Sequence, residues 1–365
     1  MPAACDDYVL CVHDWSHLDY RRHTRKADRI VLGQAEEVGY ELQTALLVGD
    51  RDGDPLAPVC QTLTAAAGVL STRPQRRQPR SPLDTLGPTM AFVDRLGLAR
   101  PVVHIIDREA DSVGHFRRWL RQGHRILVRA DGTRVVRHEG QERPLAEVAG
   151  RLRPALVFSR DVDYRGRPAR QFVAEATVVL ERPAQYNRVG DDGRKHRRKE
   201  RGRPVRLRLV VSEVRDAVGA VLAVWLLLTN LPAAVPAATV ALWYYWRWRV
   251  ESYFKLLKGA GVQLEHWQQE TAEALAKRLL VAGMACVLVW QLRRSEAPEA
   301  APVRALVGRL SGRQQRRGKA PSAPALLAGL WVLLAMTEVL QTHTVEELRA
   351  MAEFVTGGSG CLDTG

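Results

Sequence analysis

Two mainly apolar stretches, Tyr8–Asp14 and Pro101–Ile106, each lead to an acid, Asp14 at the end of the first and Asp107 directly after the second. Short apolar runs of this kind read as strands buried on both faces. Tyr40–Val48 and Pro55–Leu63 are β-rich and flank Gly49–Asp54, which predicts a hairpin with Gly and Asp in its turn. The four charged residues of that turn lack the ligand spacing and trailing Glu of a calcium loop. Ser71–Pro82 is a Pro- and Arg-rich loop, Leu83–Leu98 has helical periodicity, and Ser112–Arg121 reads as a helix closed by Gly123.

From His124 to Asn230 the period shortens. Arg125–Arg129, Gln171–Leu180, Val205–Val214 and Val221–Thr229 predict strands, and Val205, Leu207, Leu209 and Val211 alternate with Arg206, Arg208 and Val210, as on a sheet with one basic face. After the connector Pro232–Pro236 a helix opens at Ala237, runs to Lys258 and stops at Gly259-Ala260-Gly261. Ala272–Leu292 is a second long helix, Arg293–Pro321 a linker, Pro324–Val355 a last helical pair and Gly357–Gly365 a tail expected to be disordered. The expected segments are 1–123, 124–236, 237–292, 293–321 and 322–365. The longest apolar runs, Leu279–Trp290 and Ala323–Met336, fall short of the roughly 20 residues that span a bilayer, so they predict buried helices and no membrane partner.

Within the helix ending at Lys258, Tyr244, Arg247, Trp248, Glu251, Lys255 and Lys258 share an arc of about 100°, while Trp243, Trp246, Val250, Phe254 and Leu257 form a neighbouring apolar arc. One face thus presents a single carboxylate among cations and aromatic planes. An amphipathic helix with an Arg247–Glu251 i, i+4 pair explains the same pattern about as well. Lys plus Arg outnumber Asp plus Glu by 54 to 40, a net charge of +14, which suits a polyanion, nucleic acid first. The run Arg194, Lys195, His196, Arg197, Arg198, Lys199 reads equally as a solvated loop or a phosphate-contacting arm. The five cysteines are scattered without metal-type spacing, and Met1–Asp7 has no signal-peptide pattern, so the expected compartment is a reducing cytoplasm.

Asp14, Asp107 and Glu251 stand on three separate elements of this basic chain. Asp14 has the alternative of starting a turn, with Asp6, Asp7 and Asp19 as rivals, and Glu265 rivals Glu251. If the Asp14 and Asp107 strands pair in parallel, about 4.8 Å apart, their carboxylates reach one cation. Three hard oxygen donors suit Mg²⁺ or Mn²⁺, and two such ions would serve an in-line displacement at phosphorus.

Tyr244, Arg247, Glu251 and Lys258 match the Y-(2)-R-(3)-E-(6)-K signature, Asp107-Arg108-Glu109-Ala110-Asp111 the DREAD block, and His13–Tyr20 the first-acid block of DDE transposases of bacterial insertion sequences, the IS-four family. The chain closely resembles that family from about Tyr8 to Leu292. The resemblance implies an α/β, ribonuclease-H-like (retroviral-integrase-type) catalytic core with a β-strand insertion and C-terminal helices. It implies Asp14, Asp107 and Glu251 as the metal-binding triad, and Tyr244, Arg247 and Lys258 as phosphate contacts. Lys255 lies on the same face, and Trp225 (otherwise read as core) and Trp248 would hold a flipped base. The implied partner is double-stranded DNA, transposon ends and target, bound by a homodimer associated with a bacterial nucleoid. Family members usually carry a substantial DNA-binding region before the first Asp, whereas 13 residues precede Asp14, so the expectation is a chain lacking that region. The alternatives are a non-transposing copy that inhibits by dimerising, and a plain nuclease with the same core.

Overall fold

The computed structural model describes residues 5–33, 36–66, 68–72, 82–189, 195–259, 262–314 and 318–356, with backbone only for 82, 186–189 and 195–198. Arg194, the tail 357–365 and most of the loop 71–82 lie outside the described residues. In order, the elements are β1 (Val9–Asp19), β2 (Ile30–Val31), β3 (Val38–Gly49), β4 (Pro55–Ala65), β5 (Gly68–Ser71), α1 (Leu86–Asp94), β6 (Val102–Ile106), α2 (Val113–Arg121), β7 (Arg125–Arg129), β8 (Val135–His138) and β9 (Gln141–Pro144). They continue with α3 (Leu145–Leu152), β10 (Val157–Tyr164), β11 (Arg167–Leu180), β12 (Ala184–Val189), β13 (Lys195–Glu200), β14 (Val205–Arg215) and β15 (Val221–Thr229). The helices α4 (Ala237–Tyr245), α5 (Arg249–Lys258), α6 (Ala272–Arg294), α7 (Ala300–Leu310), α8 (Ala323–Val339) and α9 (Val345–Val355) follow. The chain divides into two compact units, Met1–Phe254 with Glu265–Val281, and Lys255–Leu264 with Ala282–Gly365.

The first unit is organised on one mixed sheet, ordered β5-β4-β3-β1-β6-β7-β15-β14-β11-β8-β9, with β2 on β3 and β10 on β11. β1 pairs antiparallel with β3 and parallel with β6, and β6 pairs parallel with β7. Val9–Val12 and Val102–Ile106 are buried throughout, as expected of parallel strands covered on both faces. α2 buries Val113, Phe116 and Trp119 at helical spacing, and with Met90 of α1 they pack on Ile106, Ile126 and Val128. Farther along the same core, Leu145 and Val148 of α3 lie with Leu207, Leu209 and Leu228.

Segment 124–236, read from the sequence as an insertion, continues this sheet. β7 is its third parallel strand, and β15 joins it antiparallel from Leu227↔Arg129 to Thr229↔Leu127. Of the basic run, Lys195–Lys199 belong to a strand, β13. β13 pairs with β12 so that Lys199, Arg198 and Arg197 lie opposite Gln185, Tyr186 and Asn187.

Two further differences come from local packing. The helix expected from Ala237 to Lys258 is broken by a 3₁₀ turn over Trp246–Trp248, where Trp246 and Arg247 are both buried. Gly53 explains part of this close fit: its φ is +71°, and a Cβ there would come within 2.5 Å of the Trp246 ring. The expected linker 293–321 contains α7, because Ala300, Val307 and Gly308 find burial in the second unit. α8 approaches α7 closely through Gly329, where a Cβ would overlap the Val307 carbonyl. Among the described residues no helix is long and apolar enough to cross a membrane.

Candidate active site

Asp14 and Asp107 come together through the parallel β1–β6 ladder. Its last pair is His13↔Ile106, so the next residue on each strand is an acid. Asp14 does not end its strand as the sequence suggested, since β1 runs on to Asp19 because β3 continues to bond it as far as Asp19↔Gly39. Asp14 therefore sits where β1 outruns β6, held on one side only. Asp107 directly follows β6 and caps the 3₁₀ turn Arg108–Ala110, its Oδ1 accepting the Arg108 backbone N–H at 2.7 Å.

Both carboxylates, and that of Glu251 in α5, meet one guanidinium. Arg247 Nη1 lies 2.7 Å from Asp14 Oδ2, and Nη2 lies 3.4 Å from Asp107 Oδ2 and 3.5 Å from Glu251 Oε1. The Tyr244 hydroxyl donates to Asp107 Oδ1 at 3.0 Å, and Arg129 Nη1 is 3.5 Å from the same oxygen. The Arg247 side chain is 6 % exposed, against 17 %, 26 % and 35 % for Asp14, Asp107 and Glu251, so the cation lies beneath a rim of acids. Tyr244 and Trp248 line the guanidinium, their ring centroids 5.9 and 5.4 Å from its carbon.

The two aspartates differ electrostatically. Burial pushes Asp14 up to about 6, against the pull of Arg247 and the Trp15 backbone N–H, with Asp107 and Glu251 adding to the rise. At Asp107 burial acts the same way, but Arg247, the Arg108 N–H, Arg129 and Tyr244 together hold it below the usual carboxylate range. A group raised in the folded state stabilises the fold below its unfolded pKa, and that stability fades as pH rises through the folded one. For Asp14 the window runs from about pH 4 to about 6. Asp14→Asn should therefore compare more favourably with the parent at pH 7 than at pH 4, measured by urea midpoints in chelator. The opposite pH trend would mean that the Arg247 pairing outweighs burial at Asp14.

Three carboxylates with no nitrogen or sulfur ligand are donors of the kind a hard divalent cation takes, but with Arg247 paired to each of them their oxygens do not all come within 4.8 Å of one another. The guanidinium marks the place where positive charge is needed, standing in as the common counter-ion of all three acids. Glu265, the rival third acid, lies elsewhere, its Oε1 accepting the Asp19 backbone N–H at 3.0 Å.

The residues expected on DNA are placed unevenly. Tyr244 and Arg247 are buried and turned to the acids. Trp225 is 4 % exposed and packs edge-on against Tyr244 with centroids 5.5 Å apart, so in this conformation it braces Tyr244 and offers no open face to a base. Trp248 is half-buried; Lys255 is exposed and Lys258 half-buried on the last turns of α5, and Lys199 is exposed on β13. For Lys195, Arg197 and Arg198 only the strand backbone is described.

Sequence reasoning missed Arg129, whose place at the end of the third parallel strand is the only signal for it. It also missed a cleft of about 950 Å³ between α2 and the segment leading into β14. Arg118, Arg121, Arg201, Arg203 and Arg206 line it, all exposed, and none forms an ion pair among the described residues. Arg117 is used structurally, donating to the Arg203 carbonyl at 2.9 Å.

No family model matches the chain, and no curated protein matches it. Among solved structures it is distantly similar to a piggyBac transposase synaptic complex with hairpin DNA, determined by cryo-EM, at a TM-score of 0.40 and 8 % identity over 95 % of this chain. That span is 56 % of the piggyBac chain, little more than half its length. A likeness this distant carries no argument about fold or activity.

Proposed function

We propose that the chain is the catalytic part of a DDE transposase with a ribonuclease-H-like core, cleaving DNA at transposon ends and joining the 3′-hydroxyl to a target. The observation that carries this reading is the meeting of Asp14, Asp107 and Glu251, from three elements, on the Arg247 guanidinium. Mg²⁺ or Mn²⁺ held by those oxygens, two ions for the full reaction, would supply activation of the attacking oxygen and charge relief on the leaving one. Tyr244 and the Arg108 N–H fix Asp107 in orientation. Arg247 and Arg129 balance the acids. The exposed arginines of the α2 cleft, together with Lys199, would track a DNA backbone. Exposed apolar side chains of the second unit, Trp331, Met336 and Phe354 among them, suit pairing with a second copy.

Two measurements test the reading. The first is nicking of supercoiled plasmid, and joining of a duplex with a free 3′-hydroxyl, in Mg²⁺ or Mn²⁺. Hydrolysis without joining would reduce the proposal to a nuclease, and no metal-dependent cleavage by DNA-bound protein would end it. The second is the salt dependence of DNA affinity, which should be steep. Replacing Arg118, Arg121, Arg201 and Arg206 with Ala should flatten the log–log slope by about 0.9 for each phosphate no longer neutralised. An unchanged slope would remove the cleft from the DNA path.

A further inference from the structure

On the other face of β6 from Asp107, three side chains from three elements converge: Asp94 at the end of α1, His104 within β6, and His124 just before β7. One ligating atom from each lies within 4.8 Å of the others. His104 Nε2 is 3.1 Å from Asp94 Oδ1, and His124 Nδ1 is 2.6 Å from Asp94 Oδ2. The two imidazoles are buried at 0 % and 3 % exposure, whereas the Asp94 side chain is 36 % exposed, so solvent reaches the cluster from the carboxylate side.

We propose that Asp94, His104 and His124 form a site for Zn²⁺ or a similar first-row divalent ion, chemically distinct from the all-carboxylate triad. Two imidazoles and one carboxylate are the donors that zinc takes, with water completing the shell, whereas Mg²⁺ prefers oxygen alone. The surroundings supply what His104 needs as a ligand. His13 Nε2 lies 2.9 Å from His104 Nδ1, so when Nε2 of His104 gives up its proton to ligate, the proton on Nδ1 has an acceptor. His124 is fixed through its backbone carbonyl, which accepts from Asn230 Nδ2 at 2.9 Å. Binding would tie α1 to β6 and β7, the strands that lead into Asp107 and end in Arg129. The proposal does not depend on the DNA reading.

The test uses the full chain stripped with chelator and titrated with Co²⁺, then Zn²⁺, in a Glu251→Ala, Asp14→Ala background that disables the triad. The expected result is one Co²⁺ per chain with the visible absorption of low-coordinate nitrogen ligation, displaced by Zn²⁺, and a melting temperature raised by Zn²⁺. Asp94→Asn should abolish the absorption. If the triad-disabled chain melts cooperatively yet shows no such absorption, the cluster is a hydrogen-bonded network only and the proposal fails. Absorption that survives Asp94→Asn would also overturn it. Should Asp94→Asn not fold, His124→Gln provides the same comparison.

Discussion

Glu251→Ala should lose DNA cleavage by more than about 10³-fold, beyond what the loss of one transition-state donor costs, while folding and binding DNA nearly as the parent does. The side chain is 35 % exposed on α5 and its ion pair with Arg247 is 3.5 Å long, so truncation should change stability by no more than about 1 kcal/mol. Affinity for DNA should hold or rise slightly, because an anion leaves a surface that meets phosphates. Glu265→Ala is the control. That acid bonds the Asp19 backbone and takes no part in the Arg247 cluster, so its loss should leave cleavage within a few-fold. The measurement is single-turnover cleavage beside a binding isotherm for each variant. Cleavage and affinity falling in proportion in Glu251→Ala, or equal losses in the two variants, would deny Glu251 a chemical role.

How much of this was legible in the sequence differs from residue to residue. The apolar runs before Asp14 and Asp107 contained enough to place both acids, because a strand buried on both faces has few other readings, and parallel pairing then brings the acids level. Helical periodicity placed Glu251 and Arg247 on one side of their helix. It gave azimuth and not depth, so Arg247 read as a cation displayed to phosphate although it lies 5 % exposed among acids. The 3₁₀ turn at Trp246–Trp248 was hidden for a related reason. Within it Trp246 seats tightly against Gly53, nearly two hundred positions earlier, and no local pattern records that proximity. Strand partnership has the same character. The texture of 124–236 identified strands but could not say that β15 would pair with β7 and extend the sheet, since partners are chosen by non-local packing. The cleft arginines come from α2 and from a segment some eighty residues later, each ordinary alone.

Arg247→Ala should destabilise the protein by about 3–5 kcal/mol at pH 8 in chelator, the cost of stranding buried charges without their partner. The guanidinium touches all three acids, and Arg129, the other cation at the cluster among the described residues, reaches Asp107 alone at 3.5 Å. The deficit should depend on pH. Asp14 is already raised to about 6 with Arg247 present, and without it Asp14 must rise further. Such a group favours the folded state below its unfolded pKa and loses that advantage as pH rises through the folded one, so the variant should approach the parent near pH 5 and fall away above 7. Divalent cations supply a second route back. An ion that binds only the folded chain stabilises it by about 2.7 kcal/mol at one hundred times its dissociation constant, so Mn²⁺ should rescue the variant more than it helps the parent, where the guanidinium already neutralises the acids. Arg247→Lys keeps the charge without the fork and should lie between the two. Urea midpoints at pH 5, 7 and 8, with and without Mn²⁺, separate these effects from weakened packing, which is indifferent to both variables. A deficit that is flat with pH and untouched by Mn²⁺ would show that the three carboxylates do not share one site of positive charge, and the metal-binding triad would have to be abandoned with it.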